Sequence, residues 1–304
     1  MPNLNTSIIR SIQITYPSLA VQRKVASILS NYDDLIENNT RRIEILERMT
    51  KMVYEEWFVK FRFPGHEKVK MVPSELGEIP EGWKIHSIEE ITTLIKRGIS
   101  PKYEESSNEI VINQKCIRNF RLSLEESRRH ISKVPPEKNL IRGDVLINST
   151  GVGTLGRVTQ VLEDLPNCTV DSHVTIVRPE RDLDLNFFGL QIFRLQNYFE
   201  SQGRGATGQA ELGRDTIKET KVIIAPKEIQ DHFSNRIDSL RNLAMKLDKK
   251  NQNLRKTRDL LLPKLISGEI DVSDLDIRIK NEYKESNFSF GELQDEKGLR
   301  FKVV

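Results

Sequence analysis

Two long stretches of the chain carry an apolar residue at every third or fourth position. The first follows Tyr16-Pro17-Ser18 and runs from about Leu19 to Phe61. Its stripe is Val25, Ile28, Tyr32, Leu35, Asn39, Ile43, Leu46, Thr50, Val53 and Trp57, in which Asn39 and Thr50 are the only polar members. Charges such as Glu44, Glu47 and Arg48 lie between, so the spacing predicts a coiled-coil-like helix that stops at Phe63-Pro64-Gly65. The second stretch opens at Pro226, a residue suited to a first helical turn, and ends at Gly268. It presents Ile229, Phe233, Ile237, Leu240, Ala244, Leu247, Asn251, Leu254, Arg258, Leu261 and Leu265, with Pro263 expected to kink the last turn. Each helix, about 40 residues long, would span about 60 Å. Neither is apolar all round, so each needs a partner, and the nearest is the other. An antiparallel pair is expected, with Leu35, Leu46, Leu247 and Leu254 in one seam. Asn39 and Asn251 both fall on the stripe, where a buried polar pair fixes register at some cost in stability.

Between the helices the period changes. Residues 83–225 carry short β-rich runs at Glu109–Asn113, Asp144–Asn148, Arg157–Val161, His173–Arg178 and Lys221–Ala225. Turn signals such as Arg142-Gly143-Asp144 and Thr150-Gly151 separate them. Asn186–Phe199, with four phenylalanines, predicts a helix packed on that sheet. The expected fold class is α+β, one compact domain held between two long paired helices. Boundaries fall at 1–16, 17–63, 64–225, 226–268 and 269–304, the last a polar, loosely attached tail. There is also an internal echo. Leu4–Leu29 aligns without gaps to Leu212–Ile237, each copy passing from a polar turn through a β-like segment and a proline to a helix carrying Gln22 or Gln230. The echo predicts a duplication, and makes residues 1–16 read as the remnant of another globular domain.

Composition narrows the function classes. Of the 304 residues, 30% are charged and 37% apolar, which suits long exposed helices. The net charge is only +3, from 47 basic and 44 acidic residues, so any nucleic-acid footprint must come from local clustering. Cys116 and Cys168 fit no ligand spacing and read as reduced thiols of a cytoplasmic protein. No apolar run approaches the ~20 residues of a membrane span, so no membrane partner is expected.

Gly151-Val-Gly-Thr-Leu-Gly156 matches G-x-G-x-x-G, with Asp171 about 20 residues on. A dinucleotide site would need a helix to open at this loop, and the next residues are Arg157-Val-Thr-Gln-Val, a β-like run. A tight Gly-rich hairpin is the better account. No nucleotide P-loop is present, the five histidines fit no metal pattern, and Ser149 and Ser172 lack a nucleophile-elbow context. No cofactor and no catalytic residue is expected. There remains a composition that suits DNA. Gln114, Lys115, Arg118, Arg121, Arg128, Arg129 and His130 form a basic run interleaved with amides. Asn148, Ser149, Thr150, Thr154 and Arg157 gather at the Gly-rich hairpin, and Arg204, Thr207 and Gln209 lie in the loop Gly203–Gly208. Arginine reads guanine and amides read adenine through bidentate pairs, while hydroxyls and glycine amides hold phosphates. On composition alone, a plain solvated surface explains the same residues.

Several strings resemble type I restriction-modification specificity subunits. Ala26-Ser-Ile-Leu-Ser-Asn-Tyr-Asp-Asp-Leu-Ile-Glu-Asn-Asn39 and Glu55-Glu-Trp-Phe-Val-Lys-Phe-Arg-Phe-Pro-Gly-His66 resemble the family's central conserved helix. Gly77-Glu-Ile-Pro-Glu-Gly-Trp83 resembles the start of the second target-recognition domain. Gly143–Arg157, Val170-Asp-Ser-His-Val-Thr175 and Gly205-Ala-Thr-Gly-Gln209 resemble segments within such domains, and Arg258–Gly268 the distal conserved helix. The resemblance implies a non-catalytic chain that reads one half of a bipartite double-stranded DNA site, while the antiparallel helices set the spacing between halves. It implies docking to methyltransferase subunits, which hold S-adenosylmethionine and methylate adenine, and to a restriction subunit that translocates and cleaves DNA with ATP. The first recognition domain of the family is not seen, so a second copy or a complementary half-specificity chain is a further expected partner. A coiled-coil scaffold that binds only protein, or a recombination cassette that does not read DNA by itself, is the alternative.

Overall fold

The structure, a computed structural model, describes Ser11, residues 16–203 and residues 210–277. Helix α1 (Leu19–Tyr54) ends in a π-turn at Glu55–Val59. Strands follow at β1 (Met71–Ser74), β2 (Gly77–Pro80), β3 (Lys84–Ser87), β4 (Thr92–Arg97), β5 (Glu109–Ile112), β6 (Ile117–Arg118), β7 (Arg121–Leu122) and β8 (Arg128–His130). Then come β9 (Val145–Asn148), β10 (Val158–Gln160), β11 (Cys168–Val170) and β12 (Val174–Pro179). The chain closes with α2 (Leu185–Arg194), α3 (Gln196–Ser201), α4 (Arg214–Glu219), β13 (Lys221–Ile224) and α5 (Lys227–Ser267). The described residues form two compact units, one made of residues up to Ile45 with those from Leu243 on, the other of Leu46–Asn242.

In the first unit α1 and α5 run antiparallel. Asn39 Nδ2 donates to Asn251 Oδ1 at 2.9 Å, Arg258 pairs with Asp33, and Val25 packs with Leu265. Each step forward along α1 is met by a step back along α5, which is the expected pairing. One seam position differs. Leu35 is 39% exposed, and Ile36 beside it is buried at 9%. The buried positions Ile36, Asn39, Ile43 and Thr50, with Leu46 between the last two, alternate steps of three and four, a strict heptad that a step through Leu35 would break. Leu46 and Leu254 are half-buried and Leu247 is buried. Residues 269–277 are not loosely attached. Val272 is 1% exposed against Val25 and Leu265, and Lys24 Nζ donates to the Ser273 carbonyl at 2.6 Å.

In the second unit a sheet ordered β10-β9-β12-β4 is antiparallel throughout and buried on both faces. Alternate residues therefore feed two cores. Val145, Ile147, Val158 and Val177 face one with Phe187, Phe188 and Ile192 of α2, while Leu146, Val174 and Ile176 face the other with Ile112, Cys168 and Val170. Asp184 caps α2, accepting from the Phe187 amide at 2.8 Å. The expected helix over Asn186–Phe199 is split into α2 and α3. Strand β4, at the sheet's edge, and parallel β11 were not expected from the sequence. Their runs, Thr-Thr-Leu-Ile-Lys-Arg and Cys-Thr-Val, are too mixed or too short to stand out.

The echo has a structural counterpart. Gln22 Nε2 donates to the Pro17 carbonyl at 2.8 Å, and Gln230 Nε2 to the Ala225 carbonyl at 2.7 Å. The same side chain reaches back five residues at the start of each long helix. Most of the first copy's earlier residues, within 1–15, lie outside the described residues.

The amide pair in the helix seam yields a test. Asn39→Leu removes the donor to Asn251 Oδ1 and is expected to cost about 1–3 kcal/mol. The reading is a lower circular-dichroism melting midpoint. Adding Asn251→Leu should recover the midpoint, because an apolar pair leaves nothing unsatisfied. A double variant as unstable as the single one would mean that the amide bond itself holds the helices.

Candidate nucleic-acid interface

The Gly-rich segment joins β9 to β10 as a hairpin. Gly151, Gly153 and Gly156 have φ of +108°, +69° and +76°. At Gly156 a Cβ would lie 2.5 Å from the Glu200 amide nitrogen, so only glycine fits. No helix opens here, and the dinucleotide reading has no dipole to place a pyrophosphate on.

Several polar residues of this hairpin are staples between loops. Asn148 is fully buried and donates through Nδ2 to the carbonyls of Gln114 at 3.0 Å and Thr154 at 3.1 Å. Ser149, also fully buried, shares a hydrogen bond with Thr175 Oγ1. Arg157 donates to the Gly153 carbonyl at 2.7 Å and reaches the Ile117 carbonyl at 3.5 Å. The structure thus corrects the expectation that Asn148 and Ser149 face DNA. Their side chains lie in the interior, because both belong to the end of a strand buried on its two faces.

The basic run is divided by the alternation of β8. Arg128 is exposed, its guanidinium carbon 3.4 Å from the centroid of the Tyr103 ring, a cation–π contact that holds the arm in place. Arg129 is exposed and bonds the Ser107 carbonyl, and it does not line the cleft that Arg128 lines. His130 is fully buried and accepts from the Ser132 amide. Arg118 is exposed on β6. Arg121 forms a two-pronged pair with Glu47, at 2.8 Å and 2.7 Å. The turn between them, Asn119-Phe120, has positive φ at both residues, as a two-residue hairpin requires. Phe120 is strained in that region, and its ring is fixed 5.4 Å from that of Phe193.

The fold brings together a cleft of about 410 Å³ lined by Tyr103, Asn113, Gln114, Lys115, Arg128, Asp171 and His173, with Glu125 and Glu126 at its border. Thr150 joins it through His173, Oγ1 to Nδ1 at 2.6 Å. Thr154 and Gln114 flank Gly151 so closely that a Cβ there would meet Thr154 Oγ1 at 2.3 Å and Gln114 Nε2 at 3.1 Å. Tyr103, Asp171 and His173 were missed as site residues. The string around His173 was visible, but nothing in its composition separated a cleft histidine from a surface one. Arg204, Thr207 and Gln209 lie outside the described residues.

Burial tunes the remaining titratable groups. The thiols of Cys116 and Cys168 are pushed up to about 11 and about 12 by burial, so they stay protonated and unreactive. Burial also raises Asp171, opposed by the His173 amide at 2.9 Å and the imidazole charge. Among the described residues no helix is long and apolar enough to cross a membrane.

Comparison with known proteins fits this geometry. The family described as type I restriction modification DNA specificity domain matches residues 1–48 and 80–255. The MjaIX specificity subunit of a type I restriction enzyme from Methanocaldococcus jannaschii is 25% identical over 280 residues, covering 90% of this chain and 64% of the relative. The MjaVIII specificity subunit from the same organism is 25% identical over 290 residues, covering 90% and 66%. The chain therefore spans slightly less than two thirds of these relatives. A crystal structure of the S subunit of a type I restriction-modification system from M. genitalium shares the fold, with a TM-score of 0.57 at 16% identity over 87% of this chain and 66% of that one.

The Asp171 carboxyl sets a pH test. Its raised pKa means that the folded state favours the protonated form, so ionisation costs stability above that pKa and the cost is relieved as pH falls through it. Asp171→Asn keeps an acceptor for the His173 amide and removes the charge. Its melting midpoint should exceed the parent's at pH 8, and the advantage should shrink on acidification. An advantage that grows toward low pH would reverse the assignment.

Proposed function

The chain belongs to the type I restriction-modification DNA specificity family, and on that premise we propose that it reads one half of a bipartite double-stranded DNA site. The observation that carries this reading is the cleft to which one turn brings Gln114 and Lys115 and strand β8 brings Arg128. Gln114 carries the amide that suits adenine, and Arg128, preset on Tyr103, the fork that suits guanine. Glu125 and Glu126 are acceptors for the amino group of cytosine. Lys115, Arg118 and Thr150 suit phosphates. Arg204, Thr207 and Gln209 remain in the reading on their composition.

The long helices then act as a spacer and as the surface on which methyltransferase and restriction subunits dock. Methylation and cleavage reside in those partners. This chain supplies the choice of sequence, and no catalytic group of its own enters the account.

The deciding experiment is selection from a random duplex library by the chain together with its methyltransferase subunit. One short motif should be enriched, and a library recovered without sequence bias would overturn the reading. Salt dependence tests the residues. Lys115→Ala combined with Arg128→Ala should flatten the logarithmic salt slope by up to about 2, one unit for each phosphate no longer neutralised. Arg121→Ala should leave the slope unchanged, because that guanidinium is held by Glu47.

A further inference from the structure

On a helix of a coiled-coil pair, residues that immediately precede a seam position lie on one side of the stripe, and those that immediately follow lie on the other. In the first unit the two sides differ in charge. The seam of α5 passes through Ala244, Leu247, Asn251, Leu254 and Arg258, and the residues before these are Leu243, Lys246, Lys250, Asn253 and Thr257. On α1 it passes through Ile36, Asn39, Ile43 and Leu46, preceded by Leu35, Asn38, Arg42 and Ile45. In an antiparallel pair these two rows fall on the same side, and neither holds a carboxylate. The acids Glu37, Glu44, Asp248 and Asp259 each follow a seam residue and so lie on the other side. Asp33 and Thr40, which meet Arg258 and Asn251 across the seam, belong to that other side as well.

The polar members of the carboxylate-free side, Asn38, Arg42, Lys246, Lys250, Asn253 and Thr257, are all exposed. Arg42, Lys246 and Lys250 form no ion pair among the described residues, so nothing within the unit neutralises them. Lys249 and Lys256 extend the positive charge onto the outward surface of α5, where Asp248 is the only acid between Leu243 and Arg258. Leu35 and Ile45 are separated by Asn38 and Arg42, so the rows hold no continuous apolar patch. From Lys246 to Thr257 the helix rises roughly 16 Å. That is the rise of about five base pairs of duplex.

On the reading of the chain as a DNA-specificity protein, we propose that this side of the helix pair holds the sugar–phosphate backbone of duplex DNA without reading its bases. Arg42, Lys246 and Lys250 neutralise phosphates, while the amides of Asn38 and Asn253 and the hydroxyl of Thr257 donate to phosphate oxygens. A straight row of lysines offers point charges and no pocket, which suits an oxygen-covered backbone and gives no grip on a base edge. A protein partner fits this side less well, because lysine is depleted at protein interfaces and no aromatic anchor stands among these residues. The helices are then more than a passive spacer, since they add affinity that is the same for every sequence.

The test uses the full chain and two duplexes, one carrying the motif selected from the random library and one lacking it. Arg42→Gln, Lys246→Gln and Lys250→Gln together alter three exposed, unpaired side chains and should leave the melting midpoint near the parent's. The triple variant should bind both duplexes more weakly by the same factor, about tenfold or more at low salt, and its logarithmic salt slope should fall by up to about 3. The ratio of the two affinities should stay within about twofold of the parent's, because phosphate contacts carry no sequence information. Arg42→Lys with Lys246→Arg and Lys250→Arg should keep the parent's slope. A library without an enriched motif overturns the specificity reading, while the slope on random duplex still decides whether the helices hold phosphates. A parent that prefers its motif, beside a triple variant with an unchanged slope, overturns the helix face alone. An unchanged slope together with weaker binding of the methyltransferase subunit assigns the face to a protein, and an altered affinity ratio overturns the claim that it reads no bases.

Discussion

Nearly a third of the residues are charged, so the long helices have one apolar stripe each and nothing else with which to pair. Everything in the first unit depends on how those two stripes are brought into register. Apolar side chains alone tolerate a slide of one heptad, since leucine meets leucine again seven residues on. The buried amide pair does not, because a slide would leave Asn39 and Asn251 each facing hydrocarbon. Asn251 strengthens the constraint by also donating to the Ile36 carbonyl and to Thr40 Oγ1, both at 3.2 Å. The Arg258–Asp33 pair, formed in the same register, is largely exposed and adds little energy. In the proposed role of a spacer, a register fixed by hydrogen bonding is worth the stability it costs.

The second unit solves a different problem, holding its loops still. Its sheet is buried on both faces, so the polar residues at strand ends have nowhere to go but into loop-to-loop bonds. Asn148 ties the Gln114 turn to the Gly-rich hairpin, and Arg157 ties that hairpin to β6. Asp144, fully buried, is matched by a two-pronged bond from Arg178 and by the Ile141 amide. Breaking such a pair costs about 3–5 kcal/mol, because it strands a buried charge. The strained Phe120 is held in the same way, by its stack on Phe193 and by Thr159 donating to its carbonyl at 3.1 Å. Rigid loops are the condition for reading hydrogen-bond patterns, since a donor that wanders cannot discriminate between bases.

This division of labour explains what the sequence could and could not disclose. Periodicity exposed both helices and the main β-rich runs, because burial of one face leaves a mark at fixed spacing. It misplaced the seam at Leu35, since Leu35 and Ile36 are equally apolar and only the alternation of steps chooses between them. It missed β4, whose six residues are largely polar or half-exposed. The site was less legible still. Composition gathers Asn148, Ser149, Gln114 and Lys115 into one class, and only the fold parts them, burying Asn148 and Ser149 at the end of β9 and leaving Gln114 and Lys115 on a turn at the cleft. Arg128 and Arg129 are neighbours in sequence and part company because side chains alternate along β8. Tyr103 and His173 carry no signal of their own, because their place in the cleft depends on a parallel bridge from Ile99 to Asp171 and on packing far along the chain.

The near-balance of charge bears on specificity. Non-specific affinity for DNA grows with the number of phosphates neutralised, and in a chain with a net charge of +3 the field of the 47 basic residues is nearly cancelled by 44 acidic ones. Arg121 and Arg178 are committed to carboxylates, and carboxylates also border the candidate cleft. Those carboxylates repel any backbone that is not held at the right depth and register. A chain that reads DNA as proposed gives up absolute affinity, since each phosphate it does not hold costs binding at every sequence alike. It keeps the ratio between right and wrong sites, which base contacts set and which decides the outcome against a genome of competitors. Under the proposed function the missing affinity would come from partner subunits, because partners that clamp the duplex without reading it raise all sites together and leave the ratio untouched.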